Sequence, residues 1–400
     1  MAQRTLAHRF HDALTSGMTA GRYLDRYYRD AFDHYARPLV AAVVQAIINA
    51  RRPRERLGPA QERILPGEEQ ATRQIILDQG TFMRNTYAVS VAERVGNTKT
   101  YGAVRGEFEV LGDLPEPLRR GVFAVPRRYP AWVRFGGPGP LSPPDMRDNG
   151  LLSVGIKLMG VPGPKLLEDD ERSTQDFLGL SSPTFTTPNV IENVKLQRRL
   201  REGLPGFYFL DPRDSHYLDA IMQGLWARAQ TSPLEARYWS TVPYLMGEGQ
   251  AMQFQLVPVP AERSPLPKRP GANYLRHAMA RTLRERPWEF EFRVQLQTDP
   301  HRMPIENASV IWPEKLSRPV TVARLRLPVQ EFDSPEQLAF ARSLSFQPWH
   351  CVPEHRPLGS QNRARKAIYY ELSKLRQQLN GDPRVEPDGS ETFPVASPRR

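Results

Sequence analysis

Six short runs of β-forming residues, separated by proline and glycine turns and spread over more than 200 positions, most narrow what this chain can fold into. They are residues 104–110 (VRGEFEV), 131–135 (AWVRF), 151–158 (LLSVGIKL), 252–257 (MQFQLV), 289–296 (EFEFRVQL) and 320–327 (VTVARLRL). Several alternate in polarity, as strands with one buried face do. Helical stretches at 189–203 and 217–229 interrupt the series rather than alternate with it. The order argues for an α+β fold, an antiparallel sheet or barrel with added helices, and against βαβ units. No Walker A pattern is present, and the glycines of RFGGPGP (134–140) do not open a helix, so a dinucleotide fingerprint is weak.

The flanks read differently. Residues 1–90 form an N-terminal helical extension. Tyr23, Tyr27, Phe32 and Tyr35 recur at helical spacing, and the apolar face continues through 39–48. Arg51-Arg52-Pro53 ends that element, and a second helix over 68–79 is closed by Gly80. The main domain spans 91–380. Its last helix, 363–379, has Ile368, Leu372 and Leu375 on its apolar face and stops at Asn380-Gly381. The polar, proline-rich residues 381–400 read as a disordered tail.

Composition removes several function classes. A single cysteine, Cys351, excludes a disulfide framework or a multi-cysteine metal site. The most apolar stretch, 39–50, is too short to span a bilayer and contains Gln45 and Asn49. The first ten residues lack the apolar run of a secretory signal, so a cytoplasmic setting is expected. The formal charge of +11 rests on 47 Arg against 8 Lys. Arginine suits bidentate contact with carboxylate and phosphate, although a compositional bias gives the same ratio. The basic residues are dispersed and no nucleic-acid motif is present, so nucleic acid is not an expected partner. Aromatics mixed with arginines in residues 1–55 leave peripheral membrane contact open, and self-association is also open.

Of eight histidines, only His350 and His355 lie in a dense segment, 346–356 (FQPWHCVPEHR), which packs a tryptophan, the cysteine and an arginine before a helix. Pro353 prevents the two histidines from forming a helical metal pair. No G-x-S-x-G elbow supports a serine hydrolase. The acidic run at 168–171 reads as a solvated loop.

Taken in order, 99–110 (KTYGAVRGEFEV), 129–135 (YPAWVRF), 155–167 (GIKLMGVPGPKLL), 175–185 (QDFLGLSSPTF) and 346–365 (FQPWHCVPEHRPLGSQNRAR) resemble the catalase superfamily. MPIENA (303–308) and QEFDS (330–334) resemble its smaller bacterial catalase-related members. The likeness covers roughly residues 97–380. It implies an antiparallel β-barrel with surrounding helices and heme b held between them. It also implies a distal base for peroxide, an anionic tyrosinate on the iron, and arginines at the heme propionates.

Carried over residue by residue, the pattern departs from that family. The distal histidine position falls on Tyr101, whose phenol, with an ordinary pKa near ~10, is a poor base at neutral pH. The serine after Arg-Phe becomes Gly136, and the distal asparagine position falls on Ser181. Anchoring on His355-Arg356 and counting six back places Trp349 at the iron-ligand position, where an indole donates but cannot coordinate well. His350 or Cys351 would serve if the register shifts. Arg134 matches the propionate-binding arginine, with a strand-end salt bridge as its other reading. Arg356 matches an arginine of the heme region, and Arg94 and Lys99 are further propionate contacts. The resemblance thus implies a heme protein acting on hydrogen peroxide or an organic hydroperoxide, with weak or altered activity. The alternative is a heme-free, catalytically silent binding or interaction module.

Overall fold

The protein is described by a computed structural model covering residues 5–167, 170–259 and 263–394. Three helices lead, α1 (Leu6–Tyr23), α2 (Asp25–Ala31) and α3 (Arg37–Arg51), followed by α4 (Glu68–Thr86). Four strands come next: β1 (Thr100–Val110), β2 (Arg128–Gly136), β3 (Ser153–Leu158) and β4 (Gln175–Leu180). The insert α5 (Val190–Arg201), α6 (Gly206–Leu210) and α7 (Tyr217–Trp226) leads to β5 (Tyr238–Trp239), β6 (Tyr244–Leu245) and β7 (Ala251–Pro258). Then follow α8 (Tyr274–Glu285), β8 (Trp288–Leu296), β9 (Val320–Leu327), α9 (Pro335–Ser343) and α10 (Ser360–Asn380).

All strand pairs are antiparallel, in the order β4-β3-β2-β1-β9-β8-β7. The two-residue β5 closes the circuit. Trp239 pairs with Leu180 on β4, and Tyr238 and Trp239 pair with Leu256 and Gln255 on β7. The result is an eight-stranded barrel, with β6 added beside β7. Closure satisfies both edges of the sheet.

The alternation seen in the sequence decides what fills the barrel. Tyr129, Ala131, Val133 and Phe135 of β2 join the central core, as do Val154, Ile156 and Leu158 of β3. Aromatic rings occupy its middle. The Phe292 centroid lies 4.9 Å from both Phe177 and Phe254 and 5.2 Å from Phe108. His355 completes this plug, 5.1 Å from Phe123, its Nε2 accepting from the Val122 N–H at 3.1 Å. Burial lowers its pKa to about 4, so the ring is neutral. A barrel of this size is filled by side chains, which leaves its outer wall for function.

Four of the six expected strands begin one to four residues earlier than anticipated. The run at 151–158 begins instead at Ser153, and 320–327 matches β9. The sequence reading did not assign α8 or α9. Gly80 does not close the second helix. α4 continues to Thr86, and Gly80 is buried where Leu375 and Leu372 of α10 come against it. α4 is therefore a packed layer of the main body, joined to α10 by Ala71, Ile75, Met83, Ile368 and Leu372. On α3, Ala41, Val44 and Ile48 pack on Met222 and Leu225 of α7, while Leu39 and Val43 are exposed. No helix among the described residues is long and apolar enough to cross a membrane.

The expected disordered tail is ordered as far as residue 394, and 395–400 lie outside the described residues. Glu386 accepts from the backbone of Arg172 and Ser173 at 3.0 and 2.6 Å. Glu391 accepts from Trp132 Nε1 at 2.8 Å, and Phe393 packs edge-on to the same indole at 6.0 Å. Trp132 faces outward from β2 and is wholly buried. Removing residues 382–400 is expected to lower stability by about 1–3 kcal/mol, from lost apolar burial and an orphaned indole N–H. Fluorescence emission from Trp132 should shift to the red. Unchanged melting and emission would show that the segment contributes nothing.

Candidate functional site

Outside the barrel, β2, β3 and β4 face α4, α5 and α10 across a cleft of about 270 Å³. α10 presents Gln361, Arg365, Tyr369, Leu372 and Arg376 to it, a spacing of three to four that keeps them on one helical face. The opposite wall is Arg134, Ser153, Gly155 and Leu178. Gly155 is needed there, since a Cβ would meet the Phe346 ring at 2.8 Å.

Three buried guanidinium groups gather at this cleft. Arg134 donates to Asn97 O at 2.8 Å and Thr100 Oγ1 at 2.7 Å. Arg376 donates to Ser343 O at 2.9 Å and Leu344 O at 3.2 Å. Arg94 donates to Leu344 O as well, and to Ala341 O at 3.3 Å. Among the described residues none of the three has a carboxylate within ion-pairing distance, and each keeps one buried N–H without a partner. Burial, together with repulsion from Arg376, lowers the Arg134 pKa to about 10. Burial lowers Arg376 to about 10 and Arg94 well below the usual value, where Arg134 and Arg376 add repulsion. A buried cation is ordinarily paired, because an isolated one is strongly destabilising.

A larger cavity of about 530 Å³ offers a contrast. There Arg37 and Arg228 pair with Asp33 at 3.1 and 2.7 Å, and Arg237 pairs with Glu314 at 2.8 Å. Those arginines are neutralised from within the chain, whereas those of the cleft are not. Among its described lining residues the cleft has no aspartate, glutamate or histidine.

Tyr369 is the one phenol on the cleft wall. Arg365, one turn earlier on α10, lies 5.9 Å from the centre of its ring and 5.0 Å from Phe185. The neighbouring Tyr370 faces elsewhere, beneath Arg384 at 5.1 Å.

Of the residues singled out from sequence, Arg134 and Arg94 stand in the cleft. The others do not. Tyr101 is buried at the barrel end, in a small void it shares with Asp145, Asp148 and Tyr274. Burial and the charge of Asp148 push its phenol well above the ordinary value. Ser181 Oγ accepts from Leu152 N–H at 2.8 Å, a structural bond. Gly136 is set by space, because a Cβ would lie 2.7 Å from Lys99 O and 2.9 Å from Arg134 Nη1. Lys99 is consumed by Asp145 at 2.5 Å, and Arg356 by Glu62 at 2.6 Å near the surface. Trp349 Nε1 donates to Asn362 O at 2.7 Å. Cys351 is buried, and burial pushes its thiol up, away from the thiolate a metal would need.

His350 lies behind Phe346, in a buried ionic network. Its Nε2 contacts Asp170 at 2.7 Å, and its Nδ1 contacts Asp176 at 3.0 Å and Glu171 at 3.3 Å. Lys157 Nζ pairs with Asp176 at 2.8 Å and with Glu171, and Arg384 pairs with Asp170. Three carboxylates balance Lys157, Arg384 and a protonated His350. Burial alone would lower the His350 pKa, but Glu171, Asp170 and Asp176 outweigh it and raise it to about 9. A charged imidazole bonded on both nitrogens has no lone pair for a metal.

This network gives two predictions. Lys157→Met leaves Glu171 and Asp176 buried with His350 as their remaining counterion, and should cost about 3–5 kcal/mol in denaturant unfolding. The raised His350 pKa stabilises the fold fully below about 6.5, and that contribution is lost as pH rises through about 9. Wild type should therefore lose at most roughly 3 kcal/mol relative to His350→Asn between pH 6.5 and 10. Parallel stability–pH curves for the two proteins would refute the assignment.

Sequence reading missed Tyr369, Arg365 and Arg376. The signal was present: Arg365, Tyr369 and Arg376 share one face of a helix recognised from its apolar positions. The motif count was anchored on His355-Arg356 instead, and that pair belongs to the barrel plug and the surface.

No family model and no curated protein matches the chain. Solved structures do. A fungal catalase matches with a TM-score of 0.55 at 16% identity, covering 86% of this chain and 70% of its own. A bacterial catalase gives 0.54 at 15% identity, covering 88% and 70%. Catalase A from Saccharomyces cerevisiae gives 0.55 at 13% identity, covering 86% and 72%. With strand order, barrel closure and the flanking helices in hand, these likenesses establish the architecture: the chain carries the catalase fold.

Proposed function

We propose that the cleft binds heme b, and that the protein is a heme protein of weak or altered activity toward hydrogen peroxide or an organic hydroperoxide. The observation that carries this reading is the set of three buried arginines with no carboxylate of their own. A ligand bearing two carboxylates and an apolar body fits such a cleft. The carboxylates would meet Arg94, Arg134 and Arg376, and the body would lie between β3–β4 and the apolar residues of α4, α5 and α10. Tyr369 supplies the only anionic oxygen ligand the cleft can offer an iron. Bound heme would supply the redox chemistry of its iron.

What the chain's residues do around that group is limited by the missing acids. Cleaving a peroxide needs a group that takes a proton from one oxygen and returns it to the other. Ser153, Ser240 and Thr241 line the cleft and can orient a peroxide by hydrogen bonding, but a hydroxyl is a poor base. This favours slow turnover over efficient catalase activity. The same observation supports a second reading, a catalytically silent module that keeps the fold for binding.

Reconstitution with hemin separates these readings. The expected result is one heme per chain with a Soret band. Tyr369→Phe should shift or abolish that band, whereas His350→Asn and Trp349→Phe should leave it unchanged. Arg134→Leu should weaken hemin affinity by about tenfold or more, the scale of one lost charge-assisted contact. No stoichiometric band at any hemin concentration would sink the heme reading. That outcome would select the heme-free silent module, whereas bound heme with no peroxide consumption would overturn the peroxide activity alone.

A further inference from the structure

The insert between β4 and β5 holds a second cluster of ligating side chains, apart from the cleft. α5 supplies Glu192, the loop after α6 supplies Asp214 and His216, and α7 supplies Asp219. His216 Nε2 stands 3.2 Å from Glu192 Oε2 and 3.4 Å from Asp214 Oδ1. One ligand atom from each of these three residues lies within 4.8 Å of the other two. On the far side of the ring, Nδ1 faces Asp219 Oδ2 at 3.7 Å. The imidazole is held flat against Tyr208, with centroids 4.3 Å apart and planes 5° from parallel.

Two observations set this cluster apart from a surface ion pair. Glu192 Oε2 and His216 Nε2 are both shielded from water and make no aligned hydrogen bond, their contacts being ionic, with Lys195 Nζ 3.0 Å from that Oε2. Tyr208 is 3% exposed, and its hydroxyl is likewise buried and unpartnered. Charge also fails to balance. Three carboxylates meet one ammonium, Lys195, at 3.0 Å from Glu192 and 2.7 Å from Asp214. With a neutral imidazole the cluster keeps a charge of −2. Lys195 is 42% exposed and can swing out to solvent.

We propose that Glu192, Asp214 and His216 bind a first-row divalent cation such as Zn²⁺, with Asp219 orienting the imidazole from behind. Ligands at about 2.0–2.1 Å from a tetrahedral ion stand about 3.3 Å apart, which matches the two shorter separations here. Asp219 Oδ2, at 3.7 Å from Nδ1, is beyond hydrogen-bond distance and would close on Nδ1 as the outer support of a metal-bound histidine. Water takes the fourth position. The ion would tie α5 to α7 through the intervening loop. It would thereby fix α5, whose Asn193, Leu196 and Gln197 line the cleft. The role is structural, and it stands or falls independently of heme.

The test uses the full chain, stripped with a chelator and titrated with Zn²⁺ by calorimetry, and with Co²⁺ followed by its visible absorption. One equivalent should bind, with a tetrahedral Co²⁺ spectrum and a rise in melting temperature. Asp214→Asn, at a half-exposed position that folding tolerates, and His216→Ala should each weaken binding at least about tenfold. Asp219→Asn should weaken it about 10–100-fold with the ligand set intact. Absence of stoichiometric binding in the wild type would overturn the proposal. So would Zn²⁺ affinity unchanged in both Asp214→Asn and His216→Ala.

Discussion

Beyond burial, Arg134 and Arg376 add repulsion that lowers the Arg94 pKa, Arg376 does the same to Arg134, and Glu93 offsets part of it without forming an ion pair among the described residues. That repulsion shapes the elements around it. Each guanidinium is held by backbone carbonyls at loop ends, Asn97 and Thr98 for Arg134, and residues 341–344 for the other two. The segment after α9 and the turn before β1 are thereby pinned to the barrel wall and to α10. Gly136 follows from the same arrangement, because Arg134 and the Lys99 carbonyl fill the space a side chain would take. Carbonyl oxygens satisfy hydrogen bonds but carry no full charge. The cluster is thus satisfied by carbonyls and the Thr100 hydroxyl, with no paired carboxylate among the described residues.

The barrel explains why this cluster sits on the outside. With phenylalanines and His355 filling the interior, no room remains there for a ligand. β2 and β3 therefore divide their residues strictly. Val133, Phe135, Val154 and Ile156 face the plug, while Arg134, Ser153, Gly155 and Lys157 face the helices. Gly155 and Phe346 mark a partition on that outer face. On one side are unpaired cations and no acids. On the other, Lys157, Arg384 and His350 compensate Glu171, Asp176 and Asp170 in one network. Two regions of the same wall thus have opposite electrostatic character, and only one is open to a ligand.

Much of the barrel was legible because a strand's two-residue period survives in the sequence whatever it packs against. VTVARLRL reads as β9, and the short β runs fall on β1, β2, β3, β7 and β8. β5 and β6 were not legible, since two residues carry no period and their pairing is decided by the register of β4 and β7. The site was harder for a different reason. Short motifs report local chain geometry, so His355-Arg356 drew attention to a loop whose side chains serve the core and the surface. The cleft is assembled from β2, α4, α5 and α10, which are far apart in sequence. Arg134 was recoverable because it sits within a strand motif. Tyr369 required reading α10 for its polar face as well as its apolar one. The tail was misjudged because polarity and proline content say nothing about Glu386, Glu391 and Phe393 finding partners on the barrel.

The absence of acids from the cleft bears on chemistry more than on binding. A carboxylate placed among Arg94, Arg134 and Arg376 would neutralise them and weaken the pull on a dianionic ligand. A histidine there would be held neutral by the same positive field, since a second positive charge is disfavoured. Strong capture of a dianion and an independent proton-transfer group are therefore in tension within one small cleft. The described lining of this cleft carries the cations and no such group. Ser153, Ser240 and Thr241 donate and accept without holding a charge. The described lining of the wall thus offers positive charge and hydroxyls but no acid or imidazole.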